Sequence, residues 1–271
     1  MHMGDISLSL DALDAQSNAK LATLTLNNAG KLNAMDSGMW QQLRQHMHSL
    51  NDNDDIRCVI LRSTGEAFCA GGDILEFIEQ RDTLERARRY HEQWVATALH
   101  AVRDCKHPTV AQIQGACVGG GLELACACDI RIASRDARFG APINKLGFSM
   151  APAELEVVLA VTGPALAREI LLEGRMLSAA DALQRGLLSR VVEREALEDE
   201  VSACARRIAH GAPLVARAHK QLIARLARST TLGTPLSEAE LVQSYAWLDT
   251  ADYREGLDAF ANKRAPKFRG R

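Results

Sequence analysis

The chain has 271 residues, of which 47% are hydrophobic, and its formal net charge at pH 7 is −2. This length can bury a sizeable core. A charge so close to neutral argues against nucleic acid as the main partner, because binding to phosphates relies on many lysines and arginines. No apolar run reaches the roughly 18 residues of a membrane-spanning helix, and the N-terminal residues lack the pattern of a signal peptide. We therefore predict a cytoplasmic protein that binds neither nucleic acid nor a membrane.

The seven cysteines are an odd number, and most of them lie within apolar runs. Without a signal peptide, this pattern is typical of reduced cysteines in the core. Cys126 and Cys128 could suggest a metal-binding pair, but no second cluster of cysteines or histidines accompanies them. Structural zinc sites use four such ligands. We therefore expect no metal site.

The first part of the chain alternates predicted strands and helices. Residues 21–26 (LATLTL) alternate with a period of two, as a half-buried strand does. Asp36 can cap a helix whose apolar residues recur at helical spacing between 40 and 50. A second strand is predicted over 57–62, and a long helix is predicted over 81–103.

A third strand is predicted over 109–114, directly after Pro108. A compact helix is predicted to begin near Gly120, and another strand is predicted over 129–133. Alternation of strands and helices at this short spacing indicates an α/β domain with crossover connections.

After about residue 190 the pattern changes to helices alone. They are predicted over 195–210, 213–228, 237–248 and 249–263. Such a helical region often cannot bury all of its apolar residues within one chain, so we expect oligomers. The predicted division places an α/β core in residues 1–190 and a helical oligomerisation region in residues 191–271.

Two glycine-rich motifs follow predicted strands. The first, AGGD at 70–73, has two adjacent glycines, which let backbone N–H groups approach a ligand closely. The second, GACVGGGLELAC at 115–126, places glycines near the positive end of a helix dipole. Its spacing differs from the dinucleotide-binding fingerprint, and the Gly-Lys-Ser/Thr ending of a P-loop is absent. One N–H from each motif could form an oxyanion hole, and a tightened crossover turn is the simpler alternative.

Glu123 lies three residues after Gly120, which places it on the same face of the predicted helix. A carboxylate beside Leu122 and Leu124 is costly to bury without a function or a partner. Burial would raise its pKa toward the range that is useful for acid–base catalysis. A surface glutamate or a buried ion pair is the alternative.

The segments FCAGGDI (68–74) and GACVGGGLELA (115–125) together resemble the paired signatures of the crotonase superfamily, the enoyl-CoA hydratases and isomerases. Further similar segments are KLNAMD, CDIRIASRDARFGAP, LLEGRMLSAADALQRGLLSRVV and EGLDAFANKRAPKF, so the resemblance extends over about residues 20–268. It implies an α/β crotonase fold, a spiral of ββα units followed by a helical trimerisation region. It also implies an acyl-CoA substrate, no bound cofactor apart from the coenzyme A of that substrate, and a homotrimer or dimer of trimers.

By this resemblance, the N–H groups of Gly72 and Gly120 would hold the thioester oxygen, and Glu123 would be a catalytic glutamate. The residues that it assigns to the substrate or to coenzyme A are Lys31, Leu32, Ala34, Ala70, Asp73, Ile74, Leu75, Ile143, Phe260 and Lys263. Asp73 can also cap the helix that follows it. A lysine near the C-terminus of a helix, such as Lys263, can instead complement the helix dipole.

The sequence departs from the family pattern at one catalytic position. In hydratases a second glutamate follows F-G in a Pro-Glu pair, whereas this chain has Ile143 there. Isoleucine cannot transfer a proton. Asn144 could orient a water molecule. Glu154 is a candidate second carboxylate, although an acid two residues after Pro152 would also favour the dipole of a helix that begins there.

The resemblance leaves several functions open, which include hydrolysis, decarboxylation and C–C cleavage of an acyl-CoA and a purely structural role, and three are considered first. Hydration or dehydration of an enoyl-CoA is the first choice, with the enolate stabilised by Gly72 and Gly120 and the proton transferred by Glu123. Isomerisation of a double bond would need Glu123 alone. Binding of an acyl-CoA without turnover is the third alternative, because Ile143 replaces the second glutamate.

Overall fold

The computed structural model describes residues 4–14, 18–232, 237–240 and 246–271. The strands are β1 (Asp5–Ala12), β2 (Lys20–Asn27), β3 (Ile56–Ser63), β4 (Thr109–Ile113), β5 (Ala116–Val118), β6 (Ile130–Ser134), β7 (Arg138–Gly140), β8 (Leu177–Ser178) and β9 (Arg190–Val192). One sheet has the order β1-β2-β3-β4-β6-β9, and a smaller sheet has the order β5-β7-β8. In the larger sheet β1 is antiparallel to β2, and the other neighbours are parallel.

The α-helices are α1 (Ser37–Asn51), α2 (Ile74–Gln80), α3 (Leu84–Arg88), α4 (Ala96–Arg103), α5 (Gly120–Ala127), α6 (Pro152–Arg168), α7 (Ala179–Gln184), α8 (Leu197–Ala209), α9 (Pro213–Leu232) and α10 (Ala251–Ala261). No helix in the described ranges has both the length and the apolar character to cross a membrane.

The central strand β3 is buried on both faces of the larger sheet. Val59 and Leu61 belong to the main core cluster, together with the buried residues of α1, α4 and α5. Cys58 and Ile60 belong to a second cluster with Val201 of α8. Alternate residues of a strand point to opposite faces, and in β3 the residues on both faces are buried and apolar. This explains why β3 is a nearly continuous apolar run, as is usual in a parallel sheet covered on both sides.

Helix α8 packs on the larger sheet, against β2, β3, β4 and β6. The helices predicted over 195–210, 213–228 and 249–263 are confirmed as α8, α9 and α10. The helix predicted over 237–248 falls partly outside the described residues. The domain boundary at residue 190 stays a prediction.

The long helix predicted over 81–103 is present over residues 84–103, but it is not uniformly α-helical. The chain forms α3, then a π-helical turn over Arg89–Val95, and then α4. Because a π turn contains more residues than an α turn, it rotates the apolar positions after it relative to those before it. Leu84, which uniform α-helical spacing would place on the same face as the buried Ala98 and Val102, is 77% exposed.

Helix α1 is confirmed, and Asp36 caps it as predicted. One carboxylate oxygen of Asp36 accepts a hydrogen bond from the N–H of Met39 at 2.8 Å. The other accepts from the N–H of Gly4 at 2.7 Å, and Asp36 is buried. The predicted stripe of Trp40, Leu43, Met47 and Leu50 is buried in the core. Asp36 therefore joins the start of β1 to the start of α1.

Replacement of Asp36 by Ala should lower the free energy of unfolding by about 2–3 kcal/mol, because it removes a helix cap and leaves a buried N–H unsatisfied. Urea denaturation measures this loss. Thr83→Ala is the control, because Thr83 caps only the exposed helix α3, with a hydrogen bond of 3.2 Å from the N–H of Arg86. It should cost about 0.5–1 kcal/mol. Equal losses in the two variants would contradict a role for the Gly4 contact.

Candidate active site

Two backbone hydrogen bonds hold the two glycine motifs side by side. The N–H of Cys69 donates to the carbonyl of Ala116 at 2.9 Å, and the N–H of Val118 donates to the carbonyl of Cys69 at 2.9 Å. The approach leaves no room for a side chain at Gly121, where a Cβ would lie 2.3 Å from the carbonyl oxygen of Cys69. Glycine is therefore required at position 121 by the contact between α5 and the first motif.

The same contact brings Gly72 and Gly120 together. A Cβ on Gly120 would lie 3.4 Å from the nitrogen of Gly72. The residues on either side of Gly72 are held by Met35: its N–H donates to the carbonyl of Gly71, and its carbonyl accepts from the N–H of Asp73, each at 2.8 Å. Within the described ranges, the N–H groups of Gly72 and Gly120 donate to no protein acceptor. Both glycines line the same cavity.

The cavity beside these glycines has a volume of about 190 Å³. Its aromatic walls come from Trp40, Phe77, Tyr90 and Phe148. Four charged or titratable groups also line it, and they belong to Arg81, His91, Glu123 and Glu154. The site therefore combines acid–base groups with an apolar enclosure, which is typical of a small-molecule site.

Glu123 lies in the first turn of α5 and is 6% exposed. Burial raises the pKa of its carboxyl group well above the usual range, and the nearby carboxylate of Glu154 raises it further, while the charge of Arg81 acts in the opposite direction. The protonated form of Glu123 is therefore favoured over a wider pH range than in an exposed glutamate. The sequence predicted Glu123 on the same helix face as Gly120, and both residues line the cavity.

Glu154 lies in the first turn of α6, which begins at Pro152 as the sequence predicted. It is nevertheless only 3% exposed and lines the cavity. Its Oε1 is hydrogen-bonded to Nδ1 of His91 at 2.6 Å. An acid that only interacts with the helix dipole need not be buried. The alternative explanation of Glu154 by the helix dipole therefore does not account for its burial. The cavity thus contains two carboxyl groups.

Sequence analysis does not identify Arg81 or His91. His91 reaches Glu154 from the π-helical turn, which the helical spacing of the sequence does not reveal. Arg81 directly follows α2, and its guanidinium carbon lies 4.3 Å from the ring centre of Phe77 and 4.1 Å from that of Phe148. Burial lowers the pKa of Arg81. No motif signals these side chains, because the end of α2 positions Arg81 and the π-helical turn positions His91.

Ile143 lies in a 3-10 turn over Pro142–Leu146 and presents an apolar side chain to the cavity. Asn144 points elsewhere: its Nδ2 donates to the carbonyl of Leu172 at 3.1 Å, and it is not among the residues that line the cavity. The hypothesis that Asn144 orients a water molecule in the site is therefore wrong.

Three of the residues predicted to contact the substrate or coenzyme A line the cavity, namely Ala70, Ile74 and Ile143. Leu75 lies beside them and is 69% exposed. Asp73 caps α2 as predicted, since its Oδ1 accepts from the N–H of Leu75 at 3.2 Å. Its Oδ2 lies 2.5 Å from Nζ of Lys31, and this hydrogen bond raises the pKa of the lysine.

The other predicted contacts lie around the cavity or away from it. The carbonyl of Leu32 accepts from the N–H of Ala70 at 3.0 Å, while the Leu32 side chain is exposed and Ala34 is buried. Lys263 follows α10, is exposed and does not line the cavity. Phe260 belongs to α10, and its side chain falls outside the described part of the structure. All of these contacts with coenzyme A stay predictions.

Replacement of Glu123 by Gln tests the burial of this carboxyl group. Because its pKa is raised, the folded protein keeps a proton that the unfolded chain releases above about pH 4.3. Wild-type stability should therefore fall as the pH rises from there to the folded-state pKa. The Tm of Glu123→Gln should fall less than that of the wild type between about pH 5 and pH 8, as measured by calorimetry. Glu156→Gln, which changes an exposed partner of Arg103, is the control and should follow the wild type. Parallel pH profiles for Glu123→Gln and the wild type would contradict the assignment.

The model of the enoyl-CoA hydratase/isomerase family matches residues 16–271 of the chain. The chain is 34% identical over 263 residues to a probable enoyl-CoA hydratase of Mycobacterium bovis, with 96% of this chain and 99% of the relative covered. It is also 34% identical over 256 residues to the (E)-benzylidenesuccinyl-CoA hydratase of Thauera aromatica, with 92% and 96% covered.

The fold is similar to that of a crystal structure described as an enoyl-CoA hydratase/carnithine racemase from Magnetospirillum magneticum. The TM-score is 0.89 at 48% sequence identity, and the match covers 93% of this chain and 92% of the other. These similarities confirm the predicted α/β crotonase fold and the prediction that the protein is an enzyme of this type. The chain belongs to the enoyl-CoA hydratase/isomerase family.

Proposed function

We propose that this protein hydrates an α,β-unsaturated acyl-CoA, or catalyses the reverse dehydration, with two carboxyl groups acting on one bound thioester. The observation that carries the proposal is that Glu154 lines the same cavity as Glu123, although Ile143 occupies the usual place of the second glutamate. Two carboxyl groups in one site can divide the acid and base roles when their environments differ.

The thioester oxygen accepts hydrogen bonds from the N–H groups of Gly72 and Gly120. The proposal is supported by their close approach and by their common position at the cavity wall. Gly120 is also the first residue of α5, where the helix dipole favours negative charge. These donors stabilise the charge that develops on the oxygen when a nucleophile adds to the β-carbon.

Glu154 acts as the general base in this scheme. Its carboxylate takes a proton from water while the water oxygen bonds to the β-carbon, and the electron pair of the double bond moves to form the enolate. His91 donates a hydrogen bond from Nδ1 to Oε1 of this carboxylate. That contact orients Glu154 and leaves its second oxygen for the water.

Glu123 acts as the general acid. Its raised pKa favours the protonated form, which can give a proton to the α-carbon as the enolate collapses to the thioester. One water molecule has then been added across the double bond. Return of a proton from Glu154 to Glu123 through solvent restores both groups, and dehydration follows the same steps in reverse.

Isomerisation of a double bond is the second candidate, and the apolar side chain of Ile143 is the observation that favours it. Ile143 provides no polar group to hold water beside the substrate. In this reaction Glu123 in its carboxylate form would take a proton from one carbon and return it to another. The same pair of N–H groups would stabilise the intermediate dienolate.

Oxygen-18 water distinguishes the two reactions. The purified protein is incubated with crotonyl-CoA and with a longer enoyl-CoA, and the products are followed by mass spectrometry. Hydration should give labelled 3-hydroxyacyl-CoA. Glu154→Gln and Glu123→Gln should each lower the hydration rate about 10²–10⁴-fold, because each removes a general acid or base.

Glu156→Gln serves as the matched control, since Glu156 lies on the same helix as Glu154 but is exposed and paired with Arg103 at 3.3 Å. It should retain the wild-type rate. Movement of the double bond without incorporation of label would exclude hydration of these substrates and favour isomerisation. A full rate in Glu154→Gln would remove Glu154 from the mechanism.

Assembly as a homotrimer or dimer of trimers is also proposed. Large apolar side chains remain exposed on the single chain, among them Leu172 (74%), Ile223 (67%) and Leu257 (56%). Burial of such side chains between subunits would remove them from water. Light scattering should therefore give three or six times the chain mass of 29.5 kDa. A monomer at micromolar concentration would contradict this proposal.

A further inference from the structure

Arg81 is a charged side chain that the proposed hydration does not use. It lines the same cavity as Glu123 and Glu154. Its guanidinium lies in the corner formed by the rings of Phe77 and Phe148, which are nearly perpendicular at 86°, and its central carbon is 4.3 and 4.1 Å from the two ring centres. Cation–π contact with both rings restricts where the guanidinium can lie. The cation is therefore positioned before any ligand binds.

This guanidinium has an unused donor. Its Nη1 is buried and, within the described ranges, has no hydrogen-bond partner. Nearby acids are paired elsewhere: Glu154 is bonded to His91 at 2.6 Å, and Asp82 to Arg86 at 3.0 Å. A buried charged donor without an acceptor is costly to the folded protein. Such a group at a cavity wall indicates that the acceptor is supplied by the ligand.

Phe77 connects Arg81 to the glycine N–H groups. A Cβ on Gly72 would lie 2.9 Å from Cζ of Phe77, and Arg81 stacks on the same ring. Arg81 and Gly72 are therefore both neighbours of Phe77, and both line the cavity. Its other stacking partner, Phe148, belongs to the segment that leads into the helix of Glu154. This arrangement places Arg81 beside the acyl part of a bound thioester.

The size of the cavity limits the acyl group. Its volume of about 190 Å³ is smaller than the 300–1,000 Å³ of sites for drug-sized ligands. A short acyl chain that ends near Arg81 fits this volume better than a long alkyl chain. Phe77, Phe148 and Ile143 provide apolar walls, and the guanidinium of Arg81 adds a permanent positive charge beside them.

Resting on the function proposed above, we propose that Arg81 binds a carboxylate at the far end of the acyl chain, so that the preferred substrates are short enoyl-CoAs with a second carboxylate. A planar guanidinium donates two parallel hydrogen bonds to a carboxylate, with greater strength where water is excluded. Glu123 does not oppose the bound anion while it is protonated.

The test uses trans-2-enoyl-CoAs of four to six carbons that end in a carboxylate, each compared with its neutral primary amide of nearly equal shape. The ratio of kcat/KM for acid over amide should exceed about 10 in the wild type, the value expected of a hydrogen bond between charged groups. In Arg81→Met this ratio should fall about 10- to 100-fold, because the charge is lost while contact with the aromatic rings is kept.

Two further variants separate charge from packing. Arg81→Lys keeps the charge without the planar fork, so it should restore part of the preference. Arg89→Met is the matched control: Arg89 also lies over an aromatic ring, at 5.6 Å from that of Trp94, but it does not line the cavity. It should retain the wild-type ratio. The melting temperature of each variant is measured first, to verify that it is folded.

Binding of saturated analogues distinguishes failure of this inference from failure of the proposed function. Calorimetry compares the saturated acyl-CoA that ends in a carboxylate with its amide, and requires no turnover. If the wild type binds the acid more tightly than the amide and Arg81→Met loses this difference, the result would support the carboxylate site even if no hydration occurs. If the wild type hydrates the acid and the amide with equal kcat/KM, the proposed function would stand and the inference would be overturned. Equal weakening of both ligands by Arg81→Met would show that Arg81 acts on a part that the two ligands share, and would also overturn the inference.

Discussion

The parallel contact between the segment at Cys69 and the segment at Cys117 is the constraint on which the site depends. These segments follow β3 and β4, which are neighbours in the sheet, so both leave it at the same edge. Their backbones approach so closely that Gly121 cannot carry a side chain. Because of that approach, Gly72 and Gly120, from distant parts of the chain, meet at the wall of one cavity.

Burial of charge is the second constraint, and it opposes stability. Aromatic side chains from α1, α2 and the π-helical turn enclose the carboxyl group of Glu123 and the guanidinium of Arg81. Desolvation raises the pKa of the acid and lowers that of the arginine, so each charged form is disfavoured. Buried titratable groups occur at functional sites because their interactions with a substrate of complementary charge are stronger there than in water.

The local sequence pattern was sufficient to predict an element when the spacing within that element decides which of its residues are buried. The apolar stripe of α1 and its Asp36 cap follow from helical spacing and side-chain chemistry, and the course of β3 follows from its apolar run. The helix predicted over 81–103 formed from residue 84, but a single π-helical turn changes which of its side chains face inward. Strand β1 was missed although residues 6–10 (ISLSL) show the same alternation that predicted β2.

The sequence by itself determined the fold family, the two glycine motifs and the place of Glu123 one helical turn after Gly120. These features depend on residue type and short spacing, which the chain carries locally. Tertiary structure alone decided that Glu154, from a helix 31 residues further along, enters the same cavity, and that His91 bonds to it. It also decided that Arg81 contacts two perpendicular rings from separate segments. The physical reason is that burial and charge environment depend on which distant elements pack together, and such packing leaves no short-range pattern.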